Sequence, residues 1–358
     1  MSNWFLYFVV MGSLCALLTL SIGYVLASTM QLMLDRARPN SFRIHKSNTT
    51  RFGGTGLFIA FIVVVMGALE VRHTDTSDGH VSVFIDTFAG MHLYIAAAAM
   101  LISGLLRDVS RESHIALTIA LQIVGAIYLL LAVVFQNEVN EVSSAAAISY
   151  LLLLLFATNS INILDGINGG AGFVSLVALL SVGYVGFQLE SSFIVFASSL
   201  MIGVIITFLC FNYPYGKVFL GDSGSFLLGF VIGALFVLGI NYYDMNPLYV
   251  ANLLIYPSCE IAVSLVTRGL RLGSLPPSRM FAHLFEPDNY HLHYFLYARF
   301  GNRAGLIVGF IYSFFVAVAS MCHTNNFALI VNLIMFSAVY AALFAFFKTK
   351  GKYLYIQA

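Results

Sequence analysis

The rare polar residues of this chain gather in short segments that combine carboxylate or cationic groups with glycine. One segment runs Asn159-Ser-Ile-Asn162-Ile-Leu-Asp165-Gly166-Ile-Asn168-Gly169-Gly170. On a helix, Asn159, Asn162 and Asp165 advance three residues at a time and fall on one stripe. Two carboxamides and a carboxylate at the end of an apolar stretch are costly unless they face protein, ligand or water. Helix capping and interhelical hydrogen bonds would use some of them, yet three in register exceed that need. A second segment runs from Phe211 and Asn212 through Lys217 and Phe219 to Gly221-Asp222-Ser223-Gly224-Ser225. A carboxylate flanked by glycine and hydroxyl groups at a helix start suits a hard, oxygen-ligated cation, which in turn favours phosphate. Asp222 alone would serve equally well as a helix N-cap. A third segment, 268–303, carries Arg271, Arg279, His283, Glu286, Asp288, His291 and His293, interrupted by Pro276, Pro277 and Pro287. Its cations suit a diphosphate, or the anionic headgroups of a membrane surface.

The elements that hold these segments must be membrane spans. The 358 residues are 60% apolar, with only 17 basic and 16 acidic side chains. A soluble globular chain carries about a quarter charged residues. A net charge of +1 and a pI near 7.7 supply no field for nucleic acid, and the apolar content excludes disorder, collagen and coiled coil. A spanning helix needs about 20 mostly apolar residues. Eleven blocks of that kind are readable, at about 4–27, 54–71, 88–106, 114–135, 145–160, 170–187, 191–211, 223–240, 248–267, 304–321 and 326–347. The expected fold class is therefore an all-α polytopic membrane protein of about eleven transmembrane helices. The first block is read as a retained span rather than a cleaved signal.

With eleven spans the connections alternate sides, and sixteen of the 17 basic residues fall on one of them, Arg72 being the exception. Lys and Arg near span ends are held on the cytoplasmic side. The C-terminus and the loops after odd-numbered spans, including all the polar segments above, are thus expected in the cytoplasm and the N-terminus in the periplasm. The opposite side carries short polar turns and the loop 72–86, whose irregularly spaced His73, Asp75, Asp78, His80 and Asp86 read as solvated rather than metal-binding. Cys15, Cys210, Cys259 and Cys322 lack metal spacing and read as small apolar side chains inside the spans. The one mid-span acid is Glu260, in Tyr256-Pro-Ser-Cys-Glu260.

These motifs, taken together and in order, resemble the polyprenyl-phosphate N-acetylhexosamine-1-phosphate transferase family, in the branch that starts O-antigen and related bacterial surface glycans. The first loop, Asp35-x-x-x-Pro39-Asn40-x-x-Arg43-x-His45 followed by Arg51-x-Gly53-Gly54, resembles the family's first cytoplasmic loop. Asn159-x-x-Asn162-x-x-Asp165-Gly166 matches its Asn-x-x-Asn-x-x-Asp-Gly signature, Gly221-Asp222-Ser-Gly-Ser its Gly-Asp-x-Gly-Ser element, and Pro287-Asp288-x-x-His291-x-His293 its histidine loop. The resemblance implies a single membrane-embedded transferase domain over 1–358 in the bacterial inner membrane. It implies transfer of a sugar 1-phosphate from a UDP-N-acetylhexosamine to undecaprenyl phosphate, with release of UMP. It also implies Mg²⁺, with Mn²⁺ as a substitute, and Asp222 as its ligand. Asp108, Asp165 and Asp222 become the catalytic candidates. Arg43, His45, Arg51, Asn159, Asn162, Asn168, Asn212, Lys217, Phe219, Arg279, His291 and His293 become substrate contacts, with Asn212 and Phe219 at the uracil ring. The lipid bilayer is the surrounding partner, no nucleic acid is involved, and a homodimer is compatible with all of this.

One departure stands out. The family presents two adjacent acids after the third span, where this chain reads Gly104-Leu-Leu-Arg107-Asp108. Direct attack by the ionised lipid phosphate is then the expected mechanism, with Asp108 orienting the acceptor or taking its last proton and Arg107 a candidate phosphate contact. The alternatives are a phospho-N-acetylmuramoyl-pentapeptide transferase, an inactive homologue motivated by Arg107, and a transporter. Transport sites lie near the bilayer midplane, whereas these polar residues gather at one face.

Overall fold

The computed structural model describes residues 2–30, 34–35, 49–50, 53–54, 56–60, 62, 87–109, 115–134, 142–272 and 290–350. Among them are the helices α1 (Ser2–Met30), α2 (Thr87–Val109), α3 (Ile115–Leu129, closed by a π-turn, Leu130–Val134), α4 (Ser144–Leu164), α5 (Gly170–Gln188) and α6 (Ser192–Asn212). They continue as α7 (Gly221–Tyr242), α8 (Pro247–Leu253), α9 (Ile255–Leu272), α10 (Leu292–Phe300), α11 (Ala304–Met321) and α12 (Asn326–Lys350). A two-residue antiparallel pair, Leu34–Asp35 with Thr49–Thr50, closes the loop after α1.

Among the described residues nine helices are long and apolar enough to cross a membrane, and a bent pair, α8 with α9 at 65°, makes a tenth. These ten correspond to every expected block except the second, 54–71, of which only 54, 56–60 and 62 are described, all helical. The chain is a polytopic, all-helical membrane protein. The tenth block differs from expectation. It is extended by α10 and a 3-10 turn, Gly301–Arg303, so part of the expected loop 268–303 is helical.

Local signals explain several ends. Ser143 and Ser191 cap α4 and α6 by accepting the N–H groups of Ala146 and Ile194, both at 3.2 Å. Asn246 caps α8, with Pro247 in its first turn. The Tyr242 hydroxyl donates to the Val133 carbonyl of the π-turn at 2.6 Å, satisfying a group that has no water inside a bilayer.

The bundle is organised around α7, in which every residue from Ser223 to Gly239 is buried. It packs against α2 and α4, while α6 packs against α1 and α5, and α5 against α11. The outer helices carry apolar side chains outward, as Leu18 of α1 and Phe327 of α12 do, where lipid replaces protein. Cys210 is likewise exposed, and the other three cysteines, expected as small apolar side chains inside the spans, are half-buried and free.

At its first turn α7 touches two other segments through glycine. A Cβ on Gly104 of α2 would overlap the Ser223 backbone, and Gly54 lies equally close to Gly224. The Gly53 and Gly54 N–H groups donate to the carbonyls of Phe219 and Leu220 at 3.0 and 2.9 Å. This backbone-on-backbone contact is the use small residues have between membrane helices. Replacing Gly104 with Ala is expected to destabilise the protein by about 1–3 kcal/mol, read as a lower melting temperature in detergent. Gly269, with nothing within 4 Å of an added Cβ, tolerates the same change. Equal melting of the two variants would refute the close approach.

Candidate active site

The N-terminus of α7 meets the C-terminus of α2, and this junction places Asp222. Both Asp108 oxygens accept backbone N–H groups of α7, Oδ1 from Asp222 at 3.1 Å and Oδ2 from Ser223 at 3.0 Å. The carboxylate therefore fills two of the orphan donors of the helix start and meets its positive dipole end. Gly221, at φ +68°, makes room, since a Cβ there would lie 2.7 Å from Asp108 Oδ2. The capping acid of α7 is thus Asp108, supplied by another helix. Asp222 is not an N-cap: Leu220 holds that position without a side-chain bond, and Asp222 lies inside the first turn. Asp108, expected to orient the acceptor or take its proton, has both oxygens engaged by backbone.

Freed from capping, the Asp222 carboxylate faces two side chains. Its Oδ1 accepts from Asn162 Nδ2 at 2.7 Å, and the same amide donates to Ser225 Oγ at 2.8 Å. Its Oδ2 pairs with Arg107 Nε at 3.1 Å. The guanidinium also lies over the Phe226 ring, 5.5 Å from its centroid, a favourable place for a cation. Arg107, which stands where the resembled family has its first acid, is therefore a direct ionic partner of Asp222. Asn159 is separated from this group: its Nδ2 bonds Gln122 of α3 at 3.0 Å and the Leu155 carbonyl at 2.8 Å. The stripe predicted for Asn159, Asn162 and Asp165 splits, because each helix face meets a different neighbour. Asp165 is the C-cap residue of α4, its N–H on the Asn162 carbonyl at 3.3 Å.

Next to Asp165, the turn 165–170 is tied to the loop after α6. Asn212 accepts the Gly169 N–H at 2.6 Å and donates to the Val218 carbonyl at 2.9 Å. Both ends of this buried amide, expected at the uracil ring, are held by backbone. Phe219 is buried, its ring edge against Gly216, and Lys217 is exposed. Asn168 donates to the Pro214 carbonyl at 2.8 Å and more weakly to Asn302 at 3.4 Å. Among the described residues its Oδ1 is buried without a partner.

The histidine segment closes the same end of the bundle. Tyr294 sets its hydroxyl against Gly166, and the start of α11 packs on the Asn168 backbone at Gly305. His291 and His293 lie with rings nearly parallel, centroids 5.2 Å apart. Both present Nδ1 to the fully buried Glu260, at 3.2 and 3.1 Å. In the sequence Glu260 reads only as an isolated mid-span acid; no spacing rule links it to residues 31 and 33 positions away. Arg43, His45, Arg51 and Arg279, and the loop 72–86, lie outside the described residues.

Among the described residues the side chains around Asp222 form no ligand set for the expected Mg²⁺ as they stand. A hard cation wants several oxygens, but one Asp222 oxygen faces a guanidinium and the other an amide N–H₂, while Asp108 is engaged by backbone. Among the described residues no three His, Cys, Asp or Glu groups come together. Arg107 takes the place beside Asp222 that a cation would need. Changing Arg107 to Gln is therefore expected to tighten Mn²⁺ binding at least about tenfold, the effect of removing roughly 1.4 kcal/mol of competition. Paramagnetic resonance of added Mn²⁺ checks this, and unchanged affinity would refute the competition.

A family model described as glycosyl transferase family 4 matches residues 90–240. Three curated proteins with similar sequence are each named undecaprenyl-phosphate alpha-N-acetylglucosaminyl 1-phosphate transferase. The one from Thermotoga maritima is 36% identical over 117 residues, 31% of this chain and 36% of its own. The one from Pasteurella multocida is 29% identical over 143 residues, 38% of this chain and 36% of its own. The one from Haemophilus influenzae is 30% identical over 127 residues, 34% of this chain and 32% of its own. The match spans about a third of the length of each relative. The matched residues 90–240 carry Asp108, Asn162, Asp165 and Asp222, and over that part the chain is similar to glycosyl transferase family 4.

Proposed function

We propose that the protein transfers N-acetylhexosamine 1-phosphate, with N-acetylglucosamine as the first choice of sugar, from a UDP-sugar to undecaprenyl phosphate. The supporting observation is the meeting of the Asp222–Arg107–Asn162 group, the Asn168 turn and the histidine pair at one end of a membrane bundle. A lipid acceptor lies in the bilayer and a nucleotide donor in water, so a site at the end of spanning helices is where the two can meet. The names of the curated relatives agree with the acceptor and the sugar.

In the proposed reaction an oxygen of undecaprenyl phosphate attacks the sugar-bound phosphorus of the donor. The bond from that phosphorus to UMP breaks, UMP leaves with the electron pair, and a sugar-diphosphate lipid remains. Most of the catalysis of such a step is positioning and charge stabilisation. Arg107 supplies a cation paired with Asp222, and swinging from the carboxylate to a phosphate oxygen would let it offset the charge of two meeting anions. Asp108 acts through the backbone, by holding the first turn of α7 and so the direction of Asp222. Asn168 and the histidines bind the donor's phosphate or sugar groups, as do Arg43, His45, Arg51 and Arg279 from their loops. No step is assigned to Mg²⁺. The distribution of basic residues supports a site on the cytoplasmic face of the inner membrane, and the surface-glycan motifs support a role at the start of O-antigen-type synthesis.

The Arg107–Asp222 pair also favours one second reading, a homologue that binds UDP-sugar without turnover. Purified protein with undecaprenyl phosphate and a panel of UDP-N-acetylhexosamines, with and without Mg²⁺, separates them by UMP release and lipid mass. UDP-N-acetylglucosamine is expected to give product, and Asp222→Asn to lower turnover by roughly 100-fold or more, the scale of losing a preorganised charge. Donor binding without product would support the second reading, and full activity of Asp222→Asn would remove Asp222 from the chemistry.

A further inference from the structure

Six donors converge on the single carboxylate of Glu260, which is 0% exposed. Oε1 faces the Tyr256 hydroxyl at 2.7 Å, His293 Nδ1 at 3.1 Å and the His293 N–H at 3.4 Å. Oε2 faces the Leu292 N–H at 3.0 Å, the Tyr340 hydroxyl at 3.0 Å and His291 Nδ1 at 3.2 Å. The carboxylate comes from α9, as does Tyr256; the other residues it gathers come from the start of α10, with His291 just before it, and from α12. An unpaired carboxylate at this depth would be very costly, so the cluster cannot be rearranged without leaving charge or donors unsatisfied.

We propose that Glu260 is the positioning residue of the histidine pair, fixing both rings with Nδ1–H on its carboxylate and so fixing which nitrogen each offers to a substrate. An ionised carboxylate only accepts hydrogen bonds, so each ring nitrogen facing it must carry a proton. This is the arrangement by which a carboxylate sets the tautomer and orientation of a histidine whose other nitrogen does the work. For His293 the other nitrogen is identifiable. Its Nε2 is buried and has no hydrogen-bond partner among the described residues. In the neutral ring that atom is a lone pair, suited to a substrate hydroxyl; in the protonated ring it is a donor, suited to a phosphate oxygen. Because Leu292 and His293 also give their N–H groups to Glu260, the same carboxylate anchors the first turn of α10 that carries the rings. Backbone and side chain are thereby held by one group.

The proposal rests on the transferase reading only for what the histidines touch. Its test separates the two. In protein labelled with ¹⁵N-histidine, with signals assigned through His291→Gln and His293→Gln, both rings should show a protonated Nδ1 in the wild-type chain. In Glu260→Gln, whose amide offers one oxygen and an N–H₂, at least one ring should lose that state. Turnover should fall about 10- to 100-fold, the usual effect of removing such a partner, with KM for the UDP-sugar changing less than about threefold, the pre-held geometry acting on kcat. A wild-type His293 with bare Nδ1 would overturn the proposal, and that measurement needs no variant to fold. A folded Glu260→Gln with wild-type kcat would overturn it too. So would a fall in kcat with unchanged ring nitrogens, which would make Glu260 a packing residue. If the wild-type chain turned over no donor, the transferase reading would fail, and the ring-nitrogen result would still decide the role of Glu260.

Discussion

A helix that begins inside a protein must find acceptors for its first N–H groups, and the whole candidate site depends on how α7 meets that requirement. The acceptors come from Asp108, one helix away in space and 114 residues away in sequence. Because a foreign carboxylate does the capping, Asp222 is released from it and turns its oxygens toward Asn162 and Arg107. The close approach needed for two bonds from one carboxylate forces the glycine at 221, and the approach of α2 and the first loop to the same turn forces glycines at 104 and 54. One interaction at a helix end thus explains the spacing of a charged group and the small residues packed around it.

The bilayer imposes the same rule elsewhere. Amide and carboxyl groups cannot rely on water within the spans, and several of those described are paired with one another or with backbone. Asn159 bonds Gln122, the Ser181 hydroxyl lies between those of Tyr249 and Ser320, Asn332 bonds Asn252, and Glu260 gathers six donors. These contacts differ in kind. The first three join neighbouring helices through neutral groups. The Glu260 cluster is built around a charge. Among the described residues His293 Nε2 and Asn168 Oδ1 are buried without a partner, and so is Gln122 Nε2 beside Asn159.

The spans were readable because apolar length is a property of a segment by itself. Ten of the eleven blocks reappear as helices or a bent pair, and the second is described only in part. What failed to show in the sequence were properties of pairs of segments. The threefold spacing of Asn159, Asn162 and Asp165 placed them on one face correctly as periodicity, yet the face curves past two neighbours, and Asn159 meets α3 while Asn162 meets α7. Asp222 had the residue type and position of an N-cap, and nothing local could reveal that Asp108 already served. Arg107 stood out as a departure, but its placement on Asp222 required the α2–α7 contact. Glu260 looked isolated because all its partners but Tyr256 come from α10, the residue before it, and α12.

The bond from Tyr340 to Glu260 has a consequence for the order in which the molecule is made. Tyr340 belongs to α12, the last described helix, 80 residues beyond the acid it contacts. A ribosome feeding this chain into the membrane would deliver the Asp108–Asp222 junction by the end of α7, the histidines only with α10, and the final donor to Glu260 with α12. A nascent chain halted before that point would hold a partly saturated buried carboxylate. Among the described helices the surroundings of Glu260 would then be the last to gain their full set of bonds, once α12 had packed against α9.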